Sequence, residues 1–270
     1  MAEHPIWVAL IANRLLAKPA TILLTALHLP PADPRYPIPN HVAMELFVFA
    51  LAAIFFLWLK PRLSADRPGA AQQCMEMLLT NPMGVGVQDL IRDNIPHGGE
   101  QYLPVIGSIA IFILFSNLIS VFPTLESPTA TSSVPLGCAV IVFLYYNWCG
   151  IVKRGPFRYA KHFLGPSIYL AWLWLPVEVI SNLARLLSLT VRLWVNMMVS
   201  EMLYVIFLGL TLTLALFAGK ANPAGYALVV VPLFGPMAFI ILHIFVAFLQ
   251  AFVFTILPII YLAGATEEAH

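Results

Sequence analysis

Charge is what this sequence lacks. Its 270 residues include 14 lysines and arginines and 13 aspartates and glutamates, 10% of the chain, while 60% of the residues are hydrophobic. Soluble domains carry about 25% charged and roughly 45–50% apolar residues. A globule of this size cannot bury so much apolar surface and still present a charged exterior, which leaves an integral membrane protein. A net charge of +1 also excludes a basic nucleic-acid binder and a polyacidic tail. Cysteine is equally scarce. Cys74, Cys138 and Cys149 lie far apart, without metal-ligand spacing or an even-numbered disulfide framework, and read as packing residues.

The few charges are unevenly placed. Residues 221–266 contain none, residues 101–152 contain only Glu126, and residues 168–219 contain Glu178, Arg185, Arg192 and Glu201. The apolar runs predict an all-α membrane protein with about five membrane-embedded helices, over 42–59, 103–122, 134–151, 168–218 and 225–264. These form one membrane domain (42–270) after an N-terminal extension (1–41). Glu3 and His4 do not suit the n-region of a signal peptide. Residues 19–29 are expected as a short interfacial helix, and Pro30–Pro39 as a turn-filled linker. Polar segments around Gln72–Leu79 and Val87–Ile95 are expected at the interface, and Pro123 closes the second span.

One loop carries Lys153, Arg154, Arg158 and Lys161 without an acidic residue; another carries Lys60, Arg62 and Arg67 against Asp66. The positive-inside rule puts both in the cytoplasm, with the N-terminus outside and Glu267–His270 inside.

The last two spans are too long. Val177–Leu208 runs without glycine or proline. As one helix it measures about 48 Å at 1.5 Å per residue, against a hydrocarbon core about 30 Å thick. It must tilt by about 50°, beyond the usual range of roughly 0–40°. The final segment is similarly overlong, though Pro232, Gly235, Pro236 and Pro258 can kink it. Two long, strongly inclined helices are expected, lying against a large partner surface.

Glu178, Arg185 and Arg192 recur every seven residues, so successive members differ by only about 20° and share a face. Asn196 joins them four residues on, whereas Glu201 falls on the opposite face. Each intramembrane charge costs at least ~2.5–3.5 kcal/mol on insertion scales. An ion pair of Arg185 with Glu178 near the interface accounts for those two, and Glu201 also fits a place at the outer interface. Arg192 has no acidic residue three or four positions away. In the last helix His243 and Gln250 share a face; a histidine there suits hydrogen-bonded packing or a proton relay. Asn117 and Ser120 suit helix–helix hydrogen bonds.

Arg192-Leu193-Trp194-Val195-Asn196-Met197, with Glu201 nine positions after the arginine, resembles the signature of subunit a of bacterial F-type ATP synthases. The resemblance extends to Ser116-Asn117-Leu118, to Phe122-Pro123, and to Ser127-Pro128-Thr129-Ala130. It continues through Glu178, His243, Leu249-Gln250-Ala251-Phe252, Tyr261-Leu262 and the Glu267-Glu268-Ala269-His270 end. Val195, Ser200, Thr131 and Pro258 depart from the family pattern. The resemblance implies inclined helices against a rotating ring of c subunits, each with a membrane-embedded carboxylate, with peripheral-stalk b subunits alongside. It implies two aqueous half-channels kept apart by Arg192. Glu201 and His243 are its main channel-lining candidates, with Glu178, Gln250 and Asn196 as lesser ones. It also implies a bacterial inner membrane, no cofactor or metal, and no ATP chemistry in this chain.

Two other classes compete. A cation/proton antiporter would place a few charges in apolar helices, but such transporters often show internal repeats, and none relates the first three spans to the last two. An intramembrane hydrolase needs a nucleophile and base, or a metal cluster, and only His243 lies deep in a span.

Overall fold

The computed structural model describes residues 6–26, 28, 35–80, 86–96, 98–122, 125–159, 171–221 and 226–266. Glu3, His4, residues 30–34, Pro123, Lys161, Gly225 and Glu267–His270 lie outside the described residues. Among the described residues eight longer helices carry the fold: α1 (Trp7–Ala26), α2 (Asn40–Leu59), α3 (Ala70–Leu79), α4 (Val87–Asn94), α5 (Leu103–Leu118), α6 (Ser133–Arg154), α7 (Ala171–Ala221) and α8 (Tyr226–Thr266). No strand occurs among the described residues. The all-α membrane architecture expected from hydropathy is what the chain adopts: among the described residues six helices are long and apolar enough to cross a membrane.

The sixth is α1, which starts at Trp7 rather than near residue 19 and carries Pro19 within it. Its register comes from Asn13, which is buried. The Asn13 amide donates to the carbonyls of Ala9 and Ile38 (2.8 and 2.9 Å), and its oxygen accepts from the Ile38 N–H at 3.0 Å. The Ile6 N–H donates to Asn40 Oδ1 at 3.3 Å. These bonds tie the first half of α1 to the beginning of α2, where Val8, Ala9, Ala43, Met44 and Val48 form a small core with Ile119.

Helices α7 and α8 contain 51 and 41 residues, about 77 and 62 Å at the α-helical rise. Proline in a helix interior removes one hydrogen bond and crowds the carbonyl at i−4. Even so, α8 continues through Pro232, Pro236 and Pro258, held against α7, α5, α6 and α4. Leu189, Leu193 and Met197, at i, i+4 and i+8, turn one face of α7 inward and are almost fully buried. They meet Ile113, Val142, Phe254 and Ile259 in the main core. The opposite face of α7 is open, with Leu187, Val191, Val199 and Met202 exposed beside Arg192.

Candidate functional site

Well inside its length, around Glu201, α7 meets the turn between α5 and α6. That turn begins where α5 tightens into 3₁₀ geometry at Ile119–Val121 and ends in a second 3₁₀ turn, Pro128–Ala130. It brings Ser127 to α7, where the Ser127 N–H donates to Glu201 Oε1 at 2.8 Å. The turn is locked from behind. Ser127 Oγ donates to the Ser116 carbonyl (2.9 Å) and lies 2.6 Å from Thr129 Oγ1, which donates to Asn117 Oδ1 at 2.6 Å. Thr129, Ser116 and Asn117 are fully buried.

His243 of α8 completes this cluster. Its Nε2 lies 2.9 Å from Ser120 Oγ and 3.1 Å from the Asn117 carbonyl, and its Nδ1 lies 2.7 Å from Ser200 Oγ. A cavity of about 10 Å³ opens between Glu201 and His243, with Ser120, Val121, Tyr204 and Ile240 as its other walls. That is the scale of one water molecule. Glu201 and His243, separate in sequence, therefore share one polar site.

A second cluster forms toward the start of α7. Asn182 is buried. Its Nδ2 donates to the Glu178 carbonyl (2.9 Å) and to Glu178 Oε1 (3.1 Å), and its Oδ1 accepts from Tyr146 OH of α6 at 2.8 Å. Arg185 sits 5.1 Å from the centre of the Tyr261 ring, a cation–π contact, and that ring packs 5.9 Å from Tyr146. The ion pair of Arg185 with Glu178 read as one possibility from sequence does not form. The carboxylate is held by an amide and the guanidinium by an aromatic face.

Arg192 belongs to neither cluster. It is exposed on the open face of α7, its Nη2 donates weakly to Ser188 Oγ at 3.4 Å, and it pairs with no carboxylate among the described residues. Asn196, one turn on, is half-buried. Gln250 is buried at 1% exposure, and its Oε1 has no hydrogen-bond partner among the described residues. Sequence reasoning passed over Ser127, Thr129, Ser200, Asn182, Tyr146 and Tyr261 as site residues. Asn182 was within reach, being four residues from Glu178 and so on its face. Tyr146 gave no signal of its own, and Ser200 only that of a departure from the family pattern.

This architecture defines a class: a multi-helix membrane protein with two polar clusters along one overlong helix and, between them, an arginine that pairs with no carboxylate among the described residues. Residues 42–263 match the family model for the ATP synthase A chain. The chain is 38% identical over 267 residues to ATP synthase subunit a of Koribacter versatilis, covering 99% of each chain. It is 42% identical over 234 residues to that of Solibacter usitatus, covering 87% of this chain and 90% of the relative. With that of Desulfosudis oleivorans it shares 41% over 203 residues, covering 75% and 78%. The chain belongs to the family of ATP synthase subunit a, the proton-translocating stator subunit of the Fo sector. These relatives give no support to the antiporter reading.

Proposed function

We propose that the chain carries protons to and from carboxylates of a c-subunit ring through two half-channels, with Arg192 keeping the two apart. The observation that carries this reading is the position of Arg192: exposed, without a carboxylate partner among the described residues, and flanked by apolar side chains on the open face of α7. A guanidinium facing hydrocarbon costs several kcal/mol, so this face needs a partner that brings negative charge. A ring of membrane-embedded carboxylates supplies it. Each ring carboxyl faces lipid in its neutral form, because an isolated buried charge is too costly. On reaching Arg192 it meets an opposite charge, which favours the ionised form and releases the proton. Arginine suits this place because its guanidinium keeps its proton, whereas a desolvated lysine can lose its own and short-circuit the path.

Glu201 and His243 line one half-channel and Glu178 the other, with Gln250 and Asn196 as polar groups between. The length of α7 fits the same reading, since an apolar helix of this length lies inclined across the bilayer and offers the ring a long flank. The chain contributes proton movement and no ATP chemistry. Its membrane is the bacterial inner membrane, with the N-terminus outside and the basic loops inside. The b subunits of the peripheral stalk hold it against rotation. The test is Arg192→Ala in the assembled complex in inverted vesicles: ATP-driven acidification is lost while assembly is kept. Normal pumping by that complex overturns the assignment.

A further inference from the structure

His243 has a hydrogen-bond partner at each ring nitrogen, and the chemistry of those partners decides which nitrogen holds the hydrogen. The Asn117 carbonyl, 3.1 Å from Nε2, only accepts. A bare Nε2 lone pair there would face an oxygen lone pair at contact distance, so Nε2 carries the hydrogen. Ser120 agrees with this: its hydroxyl donates to the same Asn117 carbonyl at 3.0 Å, which frees its oxygen to accept from Nε2 at 2.9 Å. In the neutral ring Nδ1 is then the acceptor, and the hydroxyl within reach of it is Ser200, at 2.7 Å. Ser120 lines the water-sized cavity shared with Glu201, so this tautomer presents its N–H on the side of Ser120.

We propose that Ser200 is a positioning residue for proton transfer: by donating to Nδ1 of His243 it fixes the Nε2–H tautomer and aims that N–H at Ser120 and the Asn117 carbonyl. The position was legible in sequence only as a departure from the family pattern beside Glu201. An alanine or glycine there leaves a buried ring nitrogen without a donor, and the ring free to populate the other tautomer. When the ring takes up a proton from a channel hydronium, leaving water, the new N–H forms at Nδ1. Ser200 then turns from donor to acceptor, so charging of His243 is tied to rotation of this one hydroxyl.

The proposal rests on the proton-carrying reading given above, and its first test needs no pumping. The whole ATP synthase, ¹⁵N-labelled at histidine and reconstituted in liposomes, is compared with a His243→Gln complex to assign the ring signals. At a pH where the ring is neutral, Nε2 is expected protonated and Nδ1 accepting. Ser200→Ala shifts the ring toward a mixture of tautomers and slows ATP-driven pumping about fivefold, the scale of one hydrogen bond. Ser200→Thr, which keeps the hydroxyl, restores both. A hydrogen on Nδ1 of the neutral ring in the unaltered complex overturns the proposal. So does a Ser200→Ala complex with unchanged ring signals, or one with shifted signals and unchanged pumping. Failure of the broader reading appears elsewhere, as pumping that survives Arg192→Ala.

Discussion

Replacing Glu201 separates two roles that its geometry allows. Its carboxylate accepts the Ser127 N–H at 2.8 Å and borders the cavity shared with His243. It can therefore carry protons or simply anchor the α5–α6 turn. Glu201→Gln keeps the side-chain length and an oxygen able to accept from Ser127, but loses the exchangeable proton. A hydrogen bond to a charged group is worth about 1.5–3 kcal/mol and a neutral one about 1 kcal/mol. The anchor thus weakens by about 1 kcal/mol, too little to block assembly. Glu201→Asp does the reverse. It keeps the proton site but draws the carboxylate back by roughly 1.5 Å, stretching the bond to Ser127 to about 4 Å. A proton carrier predicts that Glu201→Gln slows ATP-driven acidification of inverted vesicles by about 10²-fold, the low end of the general acid–base contribution. Glu201→Asp then keeps at least about a tenth of the rate, since a methylene can be bridged by water. Rates are normalised to the amount of assembled complex. Full pumping by Glu201→Gln with failure of Glu201→Asp refutes the carrier role and leaves Glu201 as an anchor.

Thr129→Val preserves shape and removes the hydroxyl that donates to Asn117 Oδ1. It leaves a fully buried acceptor unpaired and costs about 1–3 kcal/mol, read as earlier thermal dissociation of the detergent-solubilised complex. A thermal profile matching the parent's would show that this hydroxyl network does not brace the turn. Gly150→Ala puts a Cβ 2.5 Å from Cε2 of Tyr159. The ring must move, breaking the 2.8 Å bond from Tyr159 OH to Asn147 Oδ1 and costing about 1–3 kcal/mol of overpacking. Made in a Tyr159→Ala background, the same substitution should have almost no effect on the thermal midpoint, and an equal loss in both backgrounds counts against this contact.

Much of the fold was legible because membrane helices announce themselves by length and apolar run. The expected spans 103–122 and 134–151 correspond to α5 with its 3₁₀ extension and to α6 within a few residues. Where the reading slipped, the local signal misled. A short helix is expected over residues 19–29, yet α1 begins at Trp7 and keeps Pro19 inside, because Asn13 ties the earlier turns to Ile38. The opposition of Arg192 and Glu201 followed from a separation of nine residues, and the structure puts one outward and the other against Ser127. Long-range partners were another matter. His243 meets Asn117, Ser120 and Ser200 across more than forty positions, and no periodicity encodes which faces of α5, α7 and α8 turn to one another. Backbone contributions are the least legible of all: Glu201 is held by the Ser127 N–H, which any residue but proline would offer.

The two clusters sit at instructive distances. From Asn182 to Ser200 is 18 residues, about 27 Å along α7, which at a tilt of about 50° is roughly 17 Å along the membrane normal. Arg192 lies ten residues from one and eight from the other, about 15 and 12 Å away. Between the clusters Leu189, Leu193 and Met197 turn inward and share the main core with Phe254 of α8, while Thr190 beside Leu189 and Gln250 beside Ala251 are buried polar side chains. A proton moving straight through the protein from Glu178 to Glu201 would have to pass the buried side chains of Leu189, Leu193 and Met197, which offer a charge no partner. The open flank of α7 is the alternative route, and its one charge between the clusters is Arg192, which repels a free proton and attracts a carboxylate. In the proposed mechanism charge crosses the gap on a moving anionic group outside this chain. Packing and electrostatics then divide the work in that mechanism: the buried face disfavours the leak, and the exposed arginine selects the carrier.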